Sequence, residues 1–112
     1  MNISFEFWQN PQTGKYPVAD FIDNNQTDDT KAKIMKKLKT YEQYPLIHLS
    51  GAGHMEKIEG VPTLVMEVNH LQIRISGGIK SGTFLMQYAY TKSRKAARRH
   101  VRNAREAFKL LN

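Results

Sequence analysis

Arg94, Arg98, Arg102, Arg105 and Lys109 recur at steps of three and four through the end of this 112-residue chain. That spacing sets their charges in one stripe along a helix, and cations so arrayed receive anions. Beside them Ala97, Val101, Ala104, Phe108 and Leu111 draw a parallel apolar stripe, so the same helix can dock on a core and show charge outward. Residues 92–112 hold eight Lys/Arg against one acid, whereas residues 1–91 hold nine against nine. The whole net charge of +7 therefore belongs to the tail. With no acid before Glu106, the run repels itself. Two readings stand: a solvated helix face, or the seat of an anionic partner. A pI near 9.8 points to nucleic acid or another polyanion, with an acidic protein or an anionic membrane surface as alternatives.

Other chemistries find little footing. Cysteine is absent, so neither a disulfide framework nor a thiolate metal site is expected. The four histidines, His48, His54, His70 and His100, show no His-x-x-x-His spacing, and no paired carboxylates appear. The glycine pairs lack the Lys-Ser/Thr ending of a phosphate loop. No metal and no cofactor is expected.

The elements that must position these groups follow from periodicity. Ile3 to Phe7 alternates as a short strand with Ile3, Phe5 and Phe7 buried. Pro17 opens a short helix with Val18, Phe21 and Ile22 on its apolar face, and Asn24-Asn25 end it. Thr27, Asp28 and Asp29 begin a second helix whose inward stripe is Ile34, Met35, Leu38 and Tyr41 and whose outer face is lysine-rich. Together they form a helical hairpin covering one side of a sheet. Leu46 to His54 reads as irregular loop. Met55–Ile58, Leu64–Val68 and Leu71–Ser76 read as strands, with Asn69-His70 a tight reversal and Leu71, Ile73 and Ile75 facing in. Gly77 to Gly82 reads as a glycine-rich hairpin loop. Thr83–Tyr90, apolar on both faces, reads as a central strand. Strand, helix, helix, several strands, helix implies one α+β domain over residues 1–112 with a mostly antiparallel sheet, one face of it left open. The N-terminus lacks the pattern of a signal peptide and no stretch has the length of a membrane span, so the expected location is the cytoplasm.

The order and spacing of several short motifs over nearly the whole chain resemble the RelE/HigB-like toxins of bacterial toxin–antitoxin systems, in the phage-derived HigB-type branch. Pro17-Val18-Ala19-Asp20-Phe21-Ile22 resembles that family's "PV.DFL" helix, and Met55-Glu56-Lys57-Ile58-Glu59-Gly60 its "K.L..G" segment. Met66-Glu67-Val68 stands where the family has "ELR", Ile73-Arg74-Ile75 where it has "YRI", and Tyr88 to Ser93 where it has "HGF.KK". Asn69 stands in place of a family arginine, Ile73 in place of a tyrosine, and Ala96-Ala97 in place of Thr-Pro. The resemblance implies a RelE-like fold and a metal-independent endoribonuclease that cuts messenger RNA, often on the ribosome, and so stops translation. It also implies silencing by a cognate antitoxin. In that chemistry the RNA 2′-hydroxyl attacks the neighbouring phosphate and leaves a 2′,3′-cyclic phosphate.

Such a reaction needs a proton acceptor, cations for the phosphorane and a proton donor for the leaving oxygen. Arg74 is the first candidate clamp, because a guanidinium offers a planar fork to two phosphate oxygens. Its bland reading is a strand arginine paired with Glu67 across the hairpin. The resemblance adds Lys57 as phosphate ligand or base. Lys92 and Arg94, in the turn before the last helix, can lean over the same face, and Tyr90 can stack on a base or donate to the leaving group, unless it is a core phenol with a satisfied tip. Of the histidines, His54 is the best acid–base candidate, near Lys57 in a glycine-containing segment. His70 in a turn and His100 on a helix flank read as ordinary surface groups. Arg98, Arg99, Arg102 and Arg105, with Lys36 and Lys37 of the second helix, are expected on RNA backbone, that of the ribosome included. The expected antitoxin is a small helix-turn-helix protein, by analogy. Rival readings are a binding module of the same fold without catalysis, such as a gyrase-directed toxin, and a phage accessory protein that binds nucleic acid.

Overall fold

Three two-residue turns lay out most of the sheet. Ile58 pairs with Val61, Val68 with Leu71 and Lys80 with Thr83. Between them Glu59-Gly60, Asn69-His70 and Ser81-Gly82 hold both central residues at positive φ (48° and 84°, 50° and 66°, 49° and 78°). This is the turn whose own twist matches that of the strands it joins. In this computed structural model, which describes residues 2–111, the turns link β2 (Met55–Ile58), β3 (Val61–Val68), β4 (Leu71–Lys80) and β5 (Thr83–Thr91) into an antiparallel meander. β1 (Ser4–Phe7) adds to the far edge, parallel to β5, giving a five-stranded sheet in the order β1-β5-β4-β3-β2. β5 is thus an interior strand, as its two apolar faces require. The exposed edge of β1 is blunted by Glu42, whose carboxylate accepts the Phe5 amide at 3.0 Å.

Helices α1 (Pro17–Asn25), α2 (Asp28–Tyr41) and α3 (Leu46–Gly51) belong to one face of the sheet. Thr27 caps α2 by accepting the Thr30 amide at 3.2 Å, and Asp28 and Asp29 oppose the positive end of its dipole. Val18, Ile22, Ile34, Leu38, Tyr41 and Leu49 pack on Leu64, Met66, Val68, Ile73, Ile75, Phe84 and Met86. The segment expected as irregular loop is in part α3: Leu49, once helical, turns into the core and becomes almost fully buried. Leu71, expected inside, is 36% exposed because it adjoins the turn.

The expected glycine-rich loop is also corrected. Gly77, Gly78, Ile79 and Lys80 continue β4, and only Ser81-Gly82 turn. A methyl on Gly77 would stand 1.8 Å from the Leu85 carbonyl oxygen, and one on Gly78 would stand 2.2 Å from Leu111. These glycines serve close approach within a strand, not a turn. At the same place Ser76 pairs with Tyr88 and Gly77 with Met86, so Gln87 is an extra residue in β5. The bulge keeps Phe84, Met86 and Ala89 in the core while Gln87 and Tyr88 both serve the opposite face.

That opposite face is not left open. Helix α4 (Ala97–Phe108) lies across it. Gln87 Nε2 donates to the Ala107 carbonyl at 2.6 Å, Phe108 and Leu111 sit over Gly78, and Ala104 is buried. The chain is therefore an α+β domain with a mostly antiparallel sheet between three helices and one. Among the described residues no helix is long and apolar enough to cross a membrane.

Candidate nucleic-acid interface

Arg74 alternates with Ile73 and Ile75, both fully buried on the α1–α2 face, so its side chain stands on the α4 face. Register places it opposite Val65 on β3 and Tyr90 on β5. Glu67 opposes Gln72 instead, and among the described residues Arg74 has no carboxylate partner. The residue is half-buried, and its Nε is shut off from solvent without a hydrogen-bond acceptor. A buried donor left unmade costs about 1–3 kcal/mol; with Nε closed off, the terminal guanidinium nitrogens are the ones a phosphate could meet.

Tyr90, 3% exposed, stacks flat on His100 of α4 with ring centroids 4.7 Å apart and planes at 10°. Next along the strand, the Tyr88 hydroxyl lies 2.6 Å from His100 Nδ1. Asn103 Nδ2 donates to that same hydroxyl at 3.2 Å. Asn103 fills one acceptor position of that hydroxyl, and in the tautomer with the imidazole proton on Nε2 the Tyr88 proton goes to Nδ1. Burial, with Arg99 beside it, pushes the His100 pKa below its ordinary 6.5. His100 is therefore neutral at pH 7, a proton acceptor already aimed at a hydroxyl.

Sequence reasoning weighs Tyr90 as a site residue and His100 as an ordinary helix-flank group, and does not single out Tyr88 or Asn103. Tyr88 and Tyr90 share a strand face, and His100 and Asn103 share a helix face at i, i+3, but only tertiary structure joins the two pairs. The i, i+2 phenols and the His-x-x-Asn spacing were the available signal.

Of the expected cations, Lys92 joins this face: its amide donates to the Gln72 carbonyl at 2.8 Å, extending the ladder by one residue beyond Thr91 and standing two residues from Tyr90. Arg94 follows in the exposed turn before α4. Arg98, Arg99 and Arg102 are exposed on α4, and Arg105 meets Glu59 at 3.6 Å. The first turn of α4 carries no acid and no side-chain cap, so Arg98 and Arg99 add to the positive end of the dipole.

Lys57 is a correction. Met55 opposes the core residue Leu64, and Lys57, two residues on, opposes Pro62 on that same side. It lines a hollow with Leu46, Ser50 and Ile79, on the face away from Arg74. A single cup of Arg74 with Lys57 does not form, because an odd number of residues separates their registers across paired strands. His54 stands apart as well, stacked on Tyr41 at 5.0 Å beyond the start of β2. Lys36 and Lys37 project from α2 beside it. Asn69, in the place of the family arginine, is used otherwise. It donates to Asp29 Oδ2 at 2.8 Å and Thr30 Oγ1 at 2.9 Å, and accepts from Lys33 Nζ at 2.6 Å. Among the described residues no group of three His, Asp or Glu could hold a metal ion.

No family model, curated protein or solved structure matches this chain. Its own geometry therefore carries the functional argument: unpaired positive charge on one sheet face, aromatic rings beside it, and a neutral imidazole bonded to a phenol.

Proposed function

We propose that this chain is a RelE/HigB-like toxin of a toxin–antitoxin system, a RelE-like fold acting as an endoribonuclease on messenger RNA. The observation that carries the reading is Arg74, facing Tyr90 across the ladder beside a cationic helix, with no carboxylate partner among the described residues. Arg74 clamps the scissile phosphate, with Lys92 and Arg94 adding positive charge as the phosphorane forms. The ribose hydroxyl gives its proton to the Tyr88 oxygen while Tyr88 passes its own to Nδ1 of His100. The attacking 2′-oxygen closes the cyclic phosphate, and the leaving 5′-oxygen takes a proton from the site or from water. Tyr90, buried and stacked on His100, holds that imidazole in place and does not itself meet the nucleotide. Nothing in this sequence of steps calls on a metal or cofactor. RNA, on or off the ribosome, is the partner that the α4 arginines fit, and a small helix-turn-helix antitoxin is the silencer the resemblance implies, in a cytoplasmic setting.

The test is to induce the chain in bacteria and map RNA 5′ ends, wild type beside Arg74→Ala. New 5′-hydroxyl ends that vanish with Arg74→Ala support the reading, and chelator leaves cleavage by the purified protein unchanged. Lys57 on the far face and Asn69 tied to α2 favour a second reading, a binding module of the same fold without catalysis. Growth arrest with intact messenger RNA and nicked DNA selects the gyrase-directed form of it, and good expression without toxicity selects an accessory role.

A further inference from the structure

Beyond the start of β2 the outer edge of β3 has no strand beside it. The last amide taken there is that of Val65, by the His54 carbonyl at 2.9 Å. Two residues on, the Glu67 backbone presents its N–H and C=O the same way, with no strand to meet them. A hollow of about 390 Å³ opens at this edge, between Lys36 and Lys37 of α2, His54 and Glu67. A second, of about 310 Å³, shares Lys37, Tyr41, His54 and Glu67 with the first and runs on to Gln72. Gln72 is the residue whose carbonyl holds Lys92. The two hollows share four lining residues and together make a trough that runs from Gln72, two residues from Arg74 on β4, round the β3 edge to the lysines of α2.

Its lining is of a particular kind. Tyr41 is 5% exposed and fixed in the core, with His54 stacked on it at 27°, so the imidazole is a ring held flat on a rigid base. Lys33 is engaged by Asp29 and Asn69, whereas Lys36 and Lys37 have no ion-pair partner among the described residues. Glu67 is unpaired too, an acceptor for an exocyclic amino group or a ribose hydroxyl. An aromatic platform flanked by free cations and open backbone amides is what a single nucleic-acid strand requires.

We propose that this trough is a track for single-stranded RNA, seating nucleotides adjacent to the one held at Arg74, with a base on His54 and phosphates on Lys36 and Lys37. The inference rests on the ribonuclease reading and extends it from the cleaved bond to the strand beside it. It makes the far edge of the sheet part of substrate recognition, and it gives His54 a binding role in place of the acid–base role expected from sequence.

The test is binding of two fluorescent RNA oligonucleotides to the full chain, a short one spanning the scissile bond and one lengthened by several nucleotides at each end in turn. A 2′-deoxy substitution at the scissile ribose prevents cutting. The lengthened oligonucleotide binds wild type about ten-fold tighter than the short one, for one end only, a gain on the scale of one base stack with its phosphate contacts. His54→Ala and the Lys36→Ala/Lys37→Ala double variant each remove most of that gain and leave affinity for the short one unchanged. Lys39→Ala, the loss of a lysine on the same helix that lines a separate hollow near Phe5 and Phe7, keeps it. Equal affinity of wild type for both lengths, or equal loss in Lys39→Ala, overturns the track while leaving cleavage at Arg74 standing. Failure of wild type to bind either oligonucleotide overturns both.

Discussion

The Tyr88 hydroxyl and Nδ1 of His100 are hydrogen-bonded at 2.6 Å, joining the strand face that carries Arg74 to the helix that carries the basic stripe. Because that imidazole titrates below 6.5, the fold refuses a proton that the unfolded chain accepts. Stability is therefore full above pH 6.5 and falls as pH drops from there toward the lower folded pKa. Denaturant melts of wild type and His100→Gln between pH 7 and pH 5 check this: the variant loses the acid slope. On the proposed ribonuclease reading, RNA cleavage is expected to show an acid limb in the same window, since a protonated His100 cannot receive the Tyr88 proton.

Arg74→Met separates function from stability. The thioether keeps the apolar stem and removes a buried N–H that has no acceptor, so chemical melts show a gain of about 1 kcal/mol. Cleavage falls about 10²–10³-fold, the usual cost of one donor aimed at developing charge. Arg74→Lys keeps the charge, loses the two-toothed geometry and recovers only part of the rate.

Arg98 and Arg102 are exposed and have no ion-pair partner among the described residues, so on the proposed ribonuclease reading they contribute to phosphate contact and not to folding. The double alanine variant melts within about 0.5 kcal/mol of wild type. Its log–log dependence of RNA affinity on salt becomes shallower by about 1.4, two contacts at about 0.7 each for a single strand.

Gly77 and Gly51 make a matched pair of alanine substitutions. At Gly77 the new methyl meets the Leu85 carbonyl, which the β4–β5 ladder cannot release, and the variant loses about 3 kcal/mol or fails to fold. At Gly51 nothing lies within 4 Å and the residue ends α3, so alanine is neutral or stabilising by up to about 1 kcal/mol. Thermal melts and expression as soluble protein distinguish them.

Asn69→Gly keeps the positive-φ turn and removes the links to Asp29, Thr30 and Lys33. The expected loss is about 1 kcal/mol, or about 4–8 °C in melting temperature for a domain of this size. Asp29, held below its ordinary 3.8 first by the Asn69 bond and then by Lys33, rises toward that value. Its contribution is present above pH 3.8 and lost as pH falls through the lowered value, so the variant shows less acid destabilisation there.

Local pattern carried much of the architecture. Alternation at Ile73 and Ile75, the capping oxygens before α2, Pro17 at the head of α1 and the two-sided apolar run of β5 each act over one or two turns of chain, and each reads directly as an element. The charge asymmetry is likewise a property of composition. What failed were readings that needed a neighbour distant in sequence. Gly77 and Gly78 look like a loop until the Leu85 carbonyl and Leu111 come close enough to forbid a Cβ. Lys57 and Arg74 are both polar positions in strands, and only the pairing register, Met55 with Leu64 and Leu64 with Ile75, sends them to opposite faces. His100 seems inert as one residue of a helix flank; the bulge at Gln87 turns Tyr88 toward it and makes the pair. Sequence alone determined which segments form and where positive charge collects, because propensity and charge are local. Tertiary structure decided which side chains share a face, because a one-residue change of register reverses a strand and no local signal records it.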